Sequence, residues 1–262
     1  MLRADNVSFR YHAGTPLVVD DVTVDIGPGD LVGILGPNGS GKTTLLRLLS
    51  GTRVPTSGSV RLGGEPLARL TRRDIARRLA VVPQETELAF EYTALEMVLM
   101  GRHPHLGLFQ AEGPGDYAIA REALGATGTA HLEARAFHTL SGGEKQRVVI
   151  AAALAQAADV LLLDEPTASL DLGYQLDIAS LLSTLNRDRG VTMAISTHDL
   201  HLAASICRTL VLMRGGRVLA HGPAETVLTP DHVRALYDVD ADVHVHPHTG
   251  HLTVVPVRRL RP

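Results

Sequence analysis

Lys42 and Thr43 close the run Gly36-Pro37-Asn38-Gly39-Ser40-Gly41-Lys42-Thr43, which fits the phosphate-loop pattern G-x-x-x-x-G-K-[ST] without a mismatch. Glycines let the backbone turn so that several N–H groups, with the Ser40 and Thr44 hydroxyls beside them, face one anionic centre. The amine of Lys42 then reaches the β- and γ-phosphates of a nucleotide, and the Thr43 hydroxyl holds Mg²⁺. Such a loop works only between a strand and a helix. Leu31-Val32-Gly33-Ile34-Leu35 before it reads as a buried strand. Leu45, Leu46, Leu48 and Leu49 after it recur at helical spacing, with Gly51 placed to end the helix.

Three further apolar runs deliver polar groups to a strand end. Val160-Leu161-Leu162-Leu163 leads into Asp164 and Glu165. Acids beside a buried strand are costly unless a metal or substrate uses them. With a phosphate loop elsewhere, Asp164 reads as the Mg²⁺ partner and Glu165 as the group that polarises attacking water, the alternatives being a helix cap or surface acids. Val191 to Ser196 leads into Thr197-His198-Asp199, and His198 is either a γ-phosphate contact or an ordinary hydrogen-bonded histidine. Leu79-Ala80-Val81-Val82 ends at Pro83-Gln84, where a glutamine faces either the ligand crevice of an α/β sheet or solvent. Tyr11 lies in a loop between strands, as a half-buried strand-end residue or a ligand contact.

Ser141-Gly142-Gly143-Glu144 has the S-x-x-E spacing of a capping box before a helix over Lys145 to Ala157. Adjacent glycines just before a helix also present N–H groups to an anion, which makes a second phosphate-binding shape in one chain.

Around these groups, Met1 to Ile26 alternates apolar and polar residues as antiparallel strands do, with Asn6 and Gly14 as breaks. Ser59 to Leu62 with the Gly63-Gly64 turn reads as a hairpin, and Thr71 to Arg78 as a basic amphipathic helix. From Glu85 to Gln156 helical periodicity replaces β-branched runs, so a helical subdomain is inserted there. Leu88, Phe90, Tyr92, Met97, Met100, Leu106, Leu108 and Phe109 concentrate in it, as core or as the lining of a partner groove. Arg208 to Met213 and Arg217 to Ala220 read as a strand pair at the sheet edge. His244, His246, His248 and His251 alternate in the segment from Tyr237 to Pro262, compatible with a metal site or an exposed polar strand face.

Composition narrows the classes. The chain has 262 residues, 45% of them hydrophobic, with 25 Lys and Arg against 28 Asp and Glu. Near-neutral charge offers no field to hold nucleic acid. One cysteine, Cys207, forms no internal disulfide, and the first residues lack the apolar core of a signal peptide, so a reducing cytoplasm is expected. No apolar run approaches the roughly 18 residues that cross a bilayer, so a membrane role must come through a partner.

Taken together, the chain from Leu2 to Leu236 resembles the nucleotide-binding subunit of an ATP-binding-cassette (ABC) transporter. Gly36 to Thr43 is similar to the Walker A motif, Leu140-Ser141-Gly142-Gly143-Glu144 to the family signature, Val160 to Glu165 to Walker B, and Pro166 to Asp171 to its continuation through the D-loop. Gln84 falls at the Q-loop position, His198 at the switch histidine and Tyr11 at the aromatic that stacks on adenine. The resemblance implies an α/β fold: a P-loop (RecA-like) nucleotide-binding core with an N-terminal antiparallel β subdomain and an inserted helical subdomain. An ABC ATPase domain would span 1–236, with the helical insertion over about 85–156, and a short His-containing tail 237–262.

It also implies two copies packed head to tail, so that Ser141, Gly142 and Gly143 of one chain close on the γ-phosphate bound by the other and Asp171 communicates across the interface. Glu165 would act on water, His198 and Gln84 would sense the γ-phosphate, and Gln84 would join Thr43 and Asp164 at Mg²⁺. Met100 to His105 and His198 to Ala204 look like the importers of iron-siderophore, haem and cobalamin. Expected partners are two integral-membrane permease subunits and a periplasmic or lipid-anchored substrate-binding protein, with the ATPase at the cytoplasmic face of the membrane and no nucleic acid. The alternatives are an importer of another substrate and a soluble ABC ATPase outside transport.

Overall fold

The computed structural model describes residues 1–86, 90–248, 250 and 252–260. Leu88 and His251 therefore lie outside the described residues. Strands β1 (Leu2–Phe9), β2 (Val19–Ile26) and β3 (Leu31–Leu35) precede helix α1 (Lys42–Leu49). Strands β4 (Ser57–Leu62) and β5 (Glu65–Pro66), helix α2 (Arg72–Arg78) and strand β6 (Leu79–Val82) follow. A helical stretch then carries α3 (Ala94–Leu99), α4 (Pro114–Ala126) and α5 (Gly142–Ala155). The chain returns through β7 (Val160–Asp164), α6 (Leu172–Arg189), β8 (Thr192–Thr197), α7 (Leu200–Ile206), β9 (Thr209–Arg214) and β10 (Arg217–Pro223). It closes with α8 (Ala224–Val227), α9 (Pro230–Tyr237), β11 (Val239–Val245) and β12 (Leu252–Arg259).

Six strands form the central sheet in the order β10-β9-β3-β8-β7-β6. All its pairs are parallel except β10 with β9. Parallel sheets are covered on both faces, which is why β3, β7 and β8 read as continuous apolar runs rather than alternating ones. Along β3 the two faces separate cleanly. Leu31 and Leu35 join a core shared with the helical stretch and the C-terminal elements, while Val32 and Ile34 join a core shared with α1 and the antiparallel sheet. Each fully buried leucine or valine of this kind contributes roughly 1.5–3 kcal/mol. Cys207, at the end of α7, seats its sulfur against Gly33 on one of these faces.

The antiparallel sheet runs β2-β1-β4-β5. Asn6 does not break β1, as its residue type suggests, but makes a bulge in it. The register shifts between Ala4 and Val7, Asn6 takes φ 46°, and its amide N–H and side chain are satisfied by Thr23 and Asp21. Asparagine tolerates the left-handed region, so the same residue serves a bulge as readily as a turn. The strand pairs expected at Ser59–Leu62 and at Arg208–Ala220 form; β4 and β10 run a little longer than their apolar patterns, and β9 is shifted by one residue. The final β11–β12 hairpin packs on α7 and α9.

Candidate nucleotide site

Parallel register lines up the strand ends. Leu35 pairs with Thr197, Asp164 with Ser196 and Val82 with Leu163, so the loops holding Gly36, Gln84, Glu165 and His198 leave one edge of the sheet. That edge is where an α/β sheet binds ligands.

The loop after β3 is tightly held. A Cβ on Gly36 would stand 2.2 Å from the Met213 carbonyl oxygen, so only glycine fits. Gly41, with φ 102°, turns the chain into α1 under the Val18 carbonyl. Ser40 O accepts from Gly216 N–H, and Gly216 O accepts from Asp20 N–H, which staples the loop to the β9–β10 turn and the start of β2. Lys42 folds back under this loop: Nζ donates to Gly36 O at 2.9 Å and to Pro37 O at 3.2 Å. Burial lowers the affinity of this amine for its proton, and Glu165, then Asp164, oppose that effect. Ser40 Oγ is buried with no protein partner among the described residues, which leaves a hydroxyl for a phosphate oxygen.

The two acids have different surroundings. Asp164 Oδ1 accepts from Thr43 Oγ1 at 3.1 Å and from the Ser196 hydroxyl. Glu165 sits at φ 47°, its N–H donating to Ser196 O at 3.0 Å, and its carboxylate bridges two groups: Oε1 lies 3.5 Å from Lys42 Nζ and Oε2 lies 3.0 Å from His198 Nδ1. The bent backbone is what turns Glu165 away from Asp164 and toward the basic residues. Gln84 stands beside them. With Asn38, Gly39, Gly41, Lys42, Thr43, Thr44 and Glu165 it lines a cleft of about 400 Å³. A neighbouring cleft of about 290 Å³ runs from Gln84 and Glu165 to His198.

Mg²⁺ is a hard ion that takes oxygen ligands and commonly binds through one or two carboxylates plus substrate phosphates. The Thr43 hydroxyl, the Asp164 carboxylate and the Gln84 amide supply oxygens of that kind, and the residues fit the ion. Among the described residues no cluster of three His, Cys, Asp or Glu side chains is placed to hold a metal, so His244, His246 and His248 do not form one with other described side chains.

Tyr11 joins the same neighbourhood through Thr44. Its hydroxyl is 3.1 Å from Thr44 Oγ1, its ring meets Phe9 edge-on at 5.0 Å, and Arg53 lies 5.8 Å from its centroid. Tyr11 as a whole remains 41% exposed.

Ser141, Gly142 and Gly143 stand elsewhere. The capping box forms, with Ser141 N–H donating to Glu144 at 2.8 Å and Glu144 N–H to Ser141 Oγ at 3.3 Å. The glycines occupy the first turn of α5 rather than preceding it. Gly143 packs under the ring of Tyr174, and none of the three lines the clefts around Lys42. Asp171 caps α6, accepting from Tyr174 N–H at 3.0 Å. Ser196 and Tyr237, which contact Asp164 and His198, carry no sequence signature; only the pairing of β7 with β8 exposes the first.

A phosphate loop, an Mg²⁺-compatible carboxylate and a second carboxylate at one edge of a parallel sheet define a P-loop nucleotide-binding protein. More narrowly, the chain belongs to the ABC transporter family, whose profile matches residues 19–168. It is 47% identical over 247 residues to the cobalamin import ATP-binding protein BtuD of Halobacterium salinarum, covering 94% of this chain and 61% of that protein. The chain thus spans about three fifths of that relative. It is 43% identical to the hemin import ATP-binding protein HmuV of Nocardia farcinica, over 92% of this chain and 83% of that one. Identity to the ferric enterobactin transport ATP-binding protein FepC of Escherichia coli is 37%, over 100% and 96%. Among solved structures, an inward-facing putative metal-chelate type ABC transporter matches with a TM-score of 0.85 at 30% identity, over 98% of this chain and 97% of that one.

Proposed function

We propose that this chain hydrolyses ATP to power import of an iron chelate, siderophore or haem, or of cobalamin, through two permease subunits at the cytoplasmic face of a membrane. The observation that carries the hydrolytic part is the bridge from Lys42 through Glu165 to His198, adjoining Thr43 and Asp164. The Lys42 ammonium and the loop N–H groups hold the β- and γ-phosphates. Glu165 orients water for in-line attack and receives its proton as the new oxygen–phosphorus bond forms and the β–γ bridge breaks, giving ADP and phosphate. His198 and Gln84 contact the γ-phosphate from its far side, and the Tyr11 ring stacks on adenine. When bound, Mg²⁺ neutralises developing charge on the phosphates.

The position of Ser141, Gly142 and Gly143 away from their own cleft supports a head-to-tail dimer in which each signature completes the partner copy's site, with Asp171 at the interface. The cargo class rests on the activities for which the relatives are named and on the metal-chelate transporter that the fold matches over nearly its whole length. A substrate-binding protein outside the membrane would deliver that cargo. Among the described residues no helix is long and apolar enough to cross a membrane. The exposed Phe90, Leu108 and Phe109 give a permease an apolar surface to dock on.

The test is ATPase activity of the chain reconstituted with its permease and binding protein, challenged with haem, ferric siderophores and cobalamin. Stimulation by one of these chelates is expected. Hydrolysis that ignores all of them would leave the ATPase reading intact and reject the cargo class.

A further inference from the structure

Tyr237 is the last residue of α9, and its hydroxyl donates to the backbone carbonyl of His198 at 3.3 Å. The contact joins the end of the chain to the residue that also faces Glu165. Tyr237 is fixed from behind. Asp238, at φ 56°, turns the chain from α9 into β11, and both its carboxylate oxygens accept from Arg214 Nη2, at 3.0 and 2.8 Å. Arg214 also donates to Ala235 O, and Leu260 N–H donates to Asp238 O at 2.8 Å, so α9, β9 and the end of β12 converge on this corner. Asp240 accepts from both Arg234 and Arg258 and ties α9 to both strands of the hairpin. In front, β12 packs on α7, which begins two residues after His198 and is capped by Asp199 through the N–H groups of His201 and Leu202.

His198 is thus the pivot of a short loop whose outgoing helix is buttressed by the hairpin and whose carbonyl is held by a phenol. A carbonyl hydrogen bond at this point fixes the peptide plane and with it the direction of the His198 imidazole toward Glu165. Burial, with the nearby charges of Asp199 and Glu165, raises the phenol's hold on its proton, so Tyr237 stays a donor at any working pH.

We propose that Tyr237 is a positioning residue for hydrolysis, holding His198 in the orientation from which its ring meets the γ-phosphate, so that the C-terminal hairpin is mechanically part of the site. This rests on the reading of His198 as a γ-phosphate contact, and the experiment separates the two. In the full-length chain, Tyr237→Phe keeps the ring and removes the hydrogen bond. A kcat reduced about 3- to 10-fold, as loss of one such bond implies, with unchanged KM for ATP and unchanged melting temperature, is expected. In a His198→Ala background, followed by single-turnover phosphate release, Tyr237→Phe should change the rate less than about 2-fold, because coupled residues are not additive. Equal losses in both backgrounds, a change in KM alone, or an unaffected kcat for Tyr237→Phe would overturn the positioning role. A His198→Ala variant with wild-type kcat would instead overturn the His198 reading, and the proposal with it.

Discussion

Lys42 Nζ lies 3.5 Å from Glu165 Oε1, so the buried ammonium of the phosphate loop and the partly buried carboxylate after β7 form an ion pair across the sheet edge. On the proposed function, the γ-phosphate would enter between these two groups. Nucleotide binding would then exchange Lys42's present acceptors for phosphate oxygens, and the affinity for ATP would measure that exchange. Lys42→Ala is expected to weaken ATP binding by about 10- to 100-fold, the usual worth of a hydrogen bond to a charged group. Titration calorimetry with ATP checks it, and unchanged affinity would show that the amine does not reach the phosphates.

Glu165→Gln should leave ATP binding intact while turnover falls about 10²- to 10⁴-fold, the typical contribution of a general base. The same variant should accumulate as a dimer with ATP, visible by light scattering. Turnover at the wild-type rate would assign the base elsewhere.

Gly143 offers a test of the signature turn. An added Cβ would stand 2.2 Å from the Tyr174 ring. Gly143→Ala should cost about 1–3 kcal/mol by overpacking, and combining it with Tyr174→Ala should recover most of the loss in thermal unfolding. A double variant no more stable than Gly143→Ala would mean that the glycine answers to something other than this ring.

Arg102 is buried in the helical stretch, donating to Asp116 at 3.0 Å and to Ala155 O at 2.7 Å. Arg102→Ala should destabilise the chain by about 3 kcal/mol, since it strips partners from both acceptors. The Gly113 N–H, and after it Arg102, hold the Asp116 carboxyl below its usual range. A depressed carboxylate stabilises fully above its unfolded pKa of about 3.9 and loses that contribution as pH falls through the folded value. The melting-temperature gap between wild type and Asp116→Asn should accordingly be open at pH 6 and shrink in acid below about pH 4.

Legibility followed the range of the interactions. The phosphate loop could be read because its glycine spacing, the preceding strand and Lys42 are all local, and β7 and β8 because strands buried on both faces are apolar throughout. Asn6 misled because its tolerance of positive φ serves bulges and turns alike. The Gly142-Gly143 turn looked external to its helix because glycine is a poor helix former, yet the capping box and the Tyr174 ring hold it in α5. Ser196 and Tyr237 stayed hidden for another reason. Their partners, Asp164 and His198, are 32 and 39 residues away, and only strand register and the docking of α9 bring them together.

Cys207 is the chain's single cysteine, and it is buried against Gly33 with its thiol's proton held more tightly by that burial. Its thiolate, the form that reacts with maleimides and spin labels, is correspondingly scarce and inaccessible. The native chain is therefore already close to the silent background that labelling studies usually obtain by mutagenesis. One cysteine introduced on the exposed surface near Ser141 would be the addressable position in each copy, and the distance between two such labels would test the proposed closing of two chains around nucleotide without disturbing β3.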